Sequence, residues 1–162
     1  AMMVGGEADA LARAQPVLAA VAAKIVHVGA SCAGHVAKLV NNLLVAANLL
    51  ATAEAMRLGV RAGVEPHKLL EAVNGASGRS AVSEVNFPRW IVSGAFDSGF
   101  TMALMRKDVG LALKLARELG EHPKVAALVD VLWQGSVDVL PGQEDFNRIA
   151  GAILDRGSIG LD

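Results

Sequence analysis

The sequence predicts a mainly all-α helical bundle preceded by a short α/β remnant. Three observations carry that prediction. Apolar residues recur at helical spacing almost without a break from Gly34 onward. Aromatic side chains make up only 4% of the chain and tyrosine is absent, while Ala, Leu and Val dominate, which suits close-packed helices and not a β-sandwich. The convincing strand patterns, short and β-branched, fall within residues 1–28.

Met2–Gly6 reads as the end of a strand. Glu7–Ala23 carries Leu11, Ala14, Val17, Leu18 and Val21 at helical spacing, and Pro16 inside it implies a kink or a late helix start. Lys24–Val28 is a second short strand that ends at Gly29. Two such strands flanking a helix look like the tail of an α/β sheet and need neighbours for their edges. We therefore expect the chain to begin partway through a larger protein and to divide into residues 1–28, the sheet's tail, and residues 29–162, all helical. The first long helix runs from Gly34 to about Arg61, stopping before Gly63. Pro66 takes the first position of a short helix reaching Val73, ended by Asn74-Gly75. After a Gly/Ser turn, Ser80–Phe87 is helical up to Pro88, followed by a segment containing Trp90-Ile91-Val92 and a loop from Ser93 to Gly99. Three more helices are expected over about Thr101–Leu119, Pro123–Leu140 and Asp145–Asp155.

Composition narrows the function classes. With 15 basic and 16 acidic residues the net charge is −1, which leaves no electrostatic footprint for nucleic acid, and few aromatics are available to stack bases. The single cysteine, Cys32, excludes an internal disulfide, and no charged-then-apolar leader is visible, so a cytoplasmic setting is expected. Mean hydropathy is high at +0.43. The charge-free run Leu39–Ala53 contains Asn41, Asn42, Asn48 and Thr52, and its 15 residues are fewer than the roughly 18–20 needed to span a bilayer. A buried bundle helix with no membrane contact is the better reading, and its Ala- and Leu-rich surface favours self-association as a dimer or tetramer.

The segment from Gly29 to Asn42 carries the most chemistry. A loop bounded by glycines opens a helix whose one early cation, Lys38, shares a face with Asn42 four residues on. An amine on a helix greasy enough to be buried is costly unless it is paired or used. A desolvated lysine can exchange a proton with an alkoxide, and an asparagine one turn away can orient a carboxylate or hydroxyl. The alternative is a lysine snorkelling from a helix end while the asparagines tie neighbouring helices together. A second cluster, Phe100-Thr-Met-Ala-Leu-Met-Arg106-Lys107-Asp108, puts Lys107 near a stripe of Leu104, Leu111 and Leu115. Its cations suit a phosphate-bearing ligand with Asp108 holding one in place, or else form an exposed charged turn worth little. His35 is a candidate for the same cleft as Lys38, whereas His67 and His122 flank prolines and read as surface. Neither a Gly-x-Gly-x-x-Gly loop nor a phosphate-binding P-loop is present, and Cys32 has no metal-ligand spacing around it.

Gly29-x-x-Cys32-x-Gly34-x-x-x-Lys38-x-x-x-Asn42 resembles the catalytic-lysine signature of the β-hydroxyacid dehydrogenases, the 3-hydroxyisobutyrate dehydrogenase group, with Cys32 where that family commonly has a glycine. The run Phe100…Leu-Met-Arg-Lys107-Asp108-Val-Gly-Leu-Ala resembles its second lysine region, and residues 1–28 look like the last strands and helix of its Rossmann domain. The resemblance implies a helical domain like the C-terminal domain of 6-phosphogluconate dehydrogenase, and transfer of a hydride between NAD or NADP and a 3-hydroxy acid or its semialdehyde. It implies Lys38 as general acid/base, Asn42 as a substrate-binding group, and Lys107, Phe100 and Asp108 on the cofactor side. Lys107 and the positive nicotinamide would together favour the neutral amine that a base requires. Related imine-reducing enzymes usually lack the lysine, so Lys38 argues for alcohol–carbonyl chemistry. The family's glycine-rich nucleotide loop and upstream Ser-Gly segment are missing from these residues, so the chain alone is expected to be inactive. The rival reading is a non-catalytic helical oligomerisation domain whose lysines are structural.

Overall fold

The computed structural model describes residues 1–156, so the last six residues of the expected helical domain lie outside the description. The chain divides into two compact units, Ala1–Asn42 and the remainder from Leu43.

In the first unit, β1 (Met2–Gly5) and β2 (Ile25–Gly29) pair in parallel across the helix α1 (Ala8–Val21), in the register Met2↔Ile25 and Met3↔Val26 with a shift after Val4. A parallel pair needs such a crossover, and the β-branched Ile25-Val26 and Val28 favour the extended backbone. The helix begins early, at Ala8, and Pro16 sits inside it, so the late start is corrected. The proline is exposed, which lets water satisfy the carbonyl that its missing N–H leaves without a helical partner. Nothing on α1 is buried; Val17 and Val21 are 72% and 74% exposed.

Helix α2 (Ala33–Arg61) belongs to the first unit at its start and to the second thereafter. Its buried residues are Ala46, Leu49, Leu50, Ala53 and Met56, spaced by three and four so that they form one stripe. With few charges over an 18-residue window, α2 is long and apolar enough by composition to cross a membrane, so the shortness of its charge-free run does not settle the matter. Packing speaks instead: that stripe belongs to the second unit's core. Gly63, at φ +94°, ends the helix, and the Val64 N–H donates to the Gly59 carbonyl five residues back.

The second unit continues with α3 (Pro66–Asn74), a π-helical segment (Val82–Val92), α4 (Met102–Glu118), α5 (Lys124–Gly135), a 3-10 turn (Ser136–Asp138) and α6 (Arg148–Arg156). Its core gathers Phe87, Met102, Met105, Val109, Trp133 and Ile149, all at 2% exposure or less, around the α2 stripe. The Trp133 indole N–H donates to the Ala46 carbonyl at 3.3 Å, which satisfies its one polar atom. Arg57 donates to the Leu154 carbonyl at 2.7 Å, in the last turn of α6.

Three boundaries differ from the sequence expectation. The helix expected to stop at Pro88 runs through it as a π-helix. Wider i→i+5 turns move the carbonyl that would meet the proline ring in an α-helix. Helix α5 ends at Gly135 and not Leu140, because Arg106 and Ser136 side chains take the Trp133 and Leu140 carbonyls. Helix α6 starts at Arg148, three residues after Asp145, whose carboxylate receives the Asn147 N–H at 3.0 Å.

Candidate active site

The loop between β2 and α2 is built on close backbone contact. A Cβ on Gly34 would lie 2.6 Å from the Met3 carbonyl oxygen, and one on Gly5 would lie 2.5 Å from that of Ala30. Only glycine permits the first turn of α2 to touch the end of β1 in this way. The space that Gly34 leaves is therefore filled by the chain's own backbone. Cys32 stands in the left-handed region at φ +71°, where a Cβ crowds the carbonyl and glycine does not. A glycine would sit at this dihedral without that crowding, and Cys32 bears the strain.

An open cleft of about 680 Å³ lies against this junction. Lys38 and Asn42 both line it, one helical turn apart, together with His35, Asn41, Ser31 and Cys32. The Asn41 amide donates to the Asn42 side-chain oxygen at 3.2 Å, so the two asparagines orient each other. Lys38 is exposed, which corrects the expectation of a buried amine. The reason lies in the helix: α2 buries nothing before Ala46, and Val36, Val40 and Leu44 are themselves 41%, 51% and 59% exposed. An apolar run marked a helix here, and burial began two turns later than the run did.

The second cluster is arranged differently from the stripe read in the sequence. The buried face of α4 is Met102, Met105, Arg106, Asp108, Val109 and Leu113, which turns Leu104 and Leu111 outward to about 40% exposure. Lys107 is on that outer side, its side chain 58% exposed, with its ammonium 4.0 Å from the 2% exposed carboxylate of Asp108. The face is offset because charged residues occupy it, and Arg106 meets its hydrogen bonds there. Arg106, 7% exposed, donates to the Trp133 and Leu140 carbonyls at 3.0 and 2.8 Å and to the Ser136 hydroxyl at 2.8 Å. Burial pushes its pKa below the ordinary guanidinium value, yet a guanidinium starts high enough to stay charged. Phe100 precedes the N-cap Thr101, meets the Phe146 ring edge-on at 5.4 Å and borders a shallow cavity of about 240 Å³.

Sequence reasoning missed Asp145. Its carboxylate accepts from the Ser98 N–H at 2.7 Å, from the Ser98 hydroxyl, and from the Asn147 backbone and side-chain amides at 3.0 and 2.8 Å. The available signal was Asp145 two residues before Asn147 at a helix start, an arrangement typical of capping. Among the described residues no three His, Cys, Asp or Glu side chains gather as metal ligands.

A parallel strand–helix–strand unit is followed in the chain by one long helix and further helices, and a lysine and an asparagine stand together over a cleft. Comparison with known proteins then fixes the family. Residues 32–153 match the family described as the NAD-binding domain of NADP-dependent 3-hydroxyisobutyrate dehydrogenase, and the chain belongs to it. It is 36% identical to 2-(hydroxymethyl)glutarate dehydrogenase of Eubacterium barkeri over 91% of this chain and 49% of that protein. It is 38% identical to the NAD-dependent L-serine dehydrogenase of Pseudomonas aeruginosa over 91% of this chain and 51% of that one. The 3-hydroxyisobutyrate dehydrogenase of Mycobacterium tuberculosis, solved with L-serine, superposes with a TM-score of 0.85 at 31% identity, covering 93% of this chain and 54% of that chain. The chain spans about half the length of the curated relatives it matches.

The residues present fit part of a dinucleotide. The opening amides of α2, the usual place for a phosphate, are engaged within the chain: Ala33 N–H donates to Ala30 and His35 N–H to Cys32, while Gly34 abuts β1. The cleft beside Lys38 and Asn42 offers polar side chains next to apolar Met3, Val4 and Leu18, and the helix start does not suit a pyrophosphate.

Proposed function

We propose that this chain is the substrate-side portion of an NAD(P)-dependent dehydrogenase acting on a small 3-hydroxy acid or its semialdehyde, with Lys38 as general acid/base. The observation that carries the reading is the cleft lined by both Lys38 and Asn42 in a chain of this family. When bound, the nicotinamide supplies or accepts the hydride. In reduction, the Lys38 ammonium gives its proton to the carbonyl oxygen as negative charge develops there; in oxidation, the neutral amine takes the hydroxyl proton. Asn42, held by Asn41, orients the substrate's carboxylate or hydroxyl. Lys107, exposed and beside the buried Asp108, is the cation available to a cofactor phosphate or amide, with Phe100 and Asp108 flanking it.

The dehydrogenase is read as cytoplasmic, free of nucleic acid and membrane, and a dimer or tetramer. An assembly role for the helical part has its own support in the outer face of α5, where Val125, Leu128 and Val131 are 74%, 54% and 52% exposed. These 162 residues contain no glycine-rich nucleotide loop, so on their own they are expected not to turn over. A screen of 3-hydroxy acids with NAD and with NADP on the complete protein tests the proposal. Oxidation of at least one 3-hydroxy acid is the expected result, and no turnover with any acid under either cofactor would leave the assembly reading.

A further inference from the structure

The loop between the π-helical segment and α4 holds a conformational oddity. Phe96 adopts φ +45°, a region that bulky L residues rarely enter, between Gly94 at φ +71° and Gly99 at φ +81°. A phenylalanine kept in such a conformation needs surroundings that hold it. They are present. The Arg148 guanidinium lies over the Phe96 ring at 4.2 Å, and Arg148 is itself 3.8 Å from the Glu144 carboxylate. The absence of a side chain at Gly151 admits the ring: a Cβ there would stand 3.1 Å from its tip. Behind the ring, the Phe96 N–H donates to the Trp90 carbonyl at 3.2 Å.

We infer that Phe96 is a positioning residue, a ring latched between Arg148 and Gly151 that fixes the loop 93–99 and thereby sets the placement of Phe100. The connection is short and rigid. Beyond Phe96, Ser98 is fastened to Asp145, the Phe100 N–H donates to the Ser98 hydroxyl at 3.3 Å, and the Phe100 carbonyl accepts from the Phe146 N–H at 3.0 Å. Phe96 and Phe100 line the same shallow cavity. The inference rests on the reading that Phe100 borders bound cofactor or substrate, and it adds a residue that acts through the placement of Phe100.

The strained backbone makes a sharp test. Phe96→Gly removes the ring but relieves the backbone, so a ring without a role predicts a neutral or more stable protein. With the latch, Phe96→Gly raises KM for NAD⁺ or for 3-hydroxyisobutyrate by about tenfold with kcat changed less than about twofold, as expected when binding alone is loosened. Amide hydrogen exchange over residues 94–99 accelerates in Phe96→Gly and in Arg148→Met, while Phe96→Tyr keeps both KM and exchange near wild type. A Phe96→Gly protein with unchanged loop exchange and unchanged KM overturns the inference. Phe100→Ala, measured in parallel on the complete protein, separates the two claims. If Phe100→Ala leaves both KM values unaltered, the reading of Phe100 fails and takes the inference with it. If Phe100→Ala raises KM and Phe96→Gly does not, only the inference falls.

Discussion

Cys32 shows how one residue can look like a departure in sequence and be explained by a dihedral angle. The resemblance implies glycine there, and the chain keeps a backbone conformation that glycine allows while carrying a side chain. Cys32→Gly trades a strain of about 1–2 kcal/mol for the extra backbone entropy of glycine, about 0.5–1 kcal/mol. The expected result is a urea midpoint equal to or modestly above that of the unsubstituted chain, and a clear drop would mean that the thiol makes contacts that outweigh the strain. Lys38 and Asn42 were legible because a spacing of four fixes a shared helical face whatever surrounds it. The exposure of Lys38 was not, since an apolar run specifies a helix but not what covers each turn. Asp145 was missed because its partner Ser98 is 47 residues away in sequence and no local pattern joins them.

At the scale of elements, Pro66 at a helix start was read correctly because its signal is local, whereas Pro16 and Pro88 stand inside helices. Glu65 precedes Pro66, and its carboxylate accepts the N–H groups of His67 and Lys68 at 3.0 and 2.9 Å. These two backbone hydrogen bonds hold its pKa below the ordinary value of 4.5. A depressed carboxylate stabilises the fold above its unfolded pKa and loses that contribution as pH falls through the folded value. Wild type should therefore exceed Glu65→Gln in stability at neutral pH, and the gap should narrow as pH falls below 4.5. Parallel urea titrations across that range check this; a gap independent of pH would contradict it. The elements that sequence misjudged were decided by tertiary partners. Arg106 reaches across to Ser136 and two carbonyls, ending α5 early and placing the buried face of α4 nearly opposite the stripe of Leu104, Leu111 and Leu115. An arginine and an aspartate inside a core break the apolar pattern from which a face is read. The π-helix through Pro88 has no periodic signature of its own.

For the whole molecule, the order of elements was visible in composition, because β-branched runs gather at one end and Ala-Leu helices at the other, whereas the compact units part after Asn42, inside α2. Family membership followed from two motifs in the right order, joined by the match over residues 32–153. The central claim remains that one amine on α2 moves the proton while a nicotinamide moves the hydride. Its most direct test is Lys38→Ala in the complete protein, with kcat measured at saturating 3-hydroxy acid and the preferred cofactor. The account predicts a fall in kcat of at least about 10²-fold, the scale of a lost general acid/base, with the folded state intact by thermal melt. A correctly folded Lys38→Ala protein with near-normal kcat would contradict it.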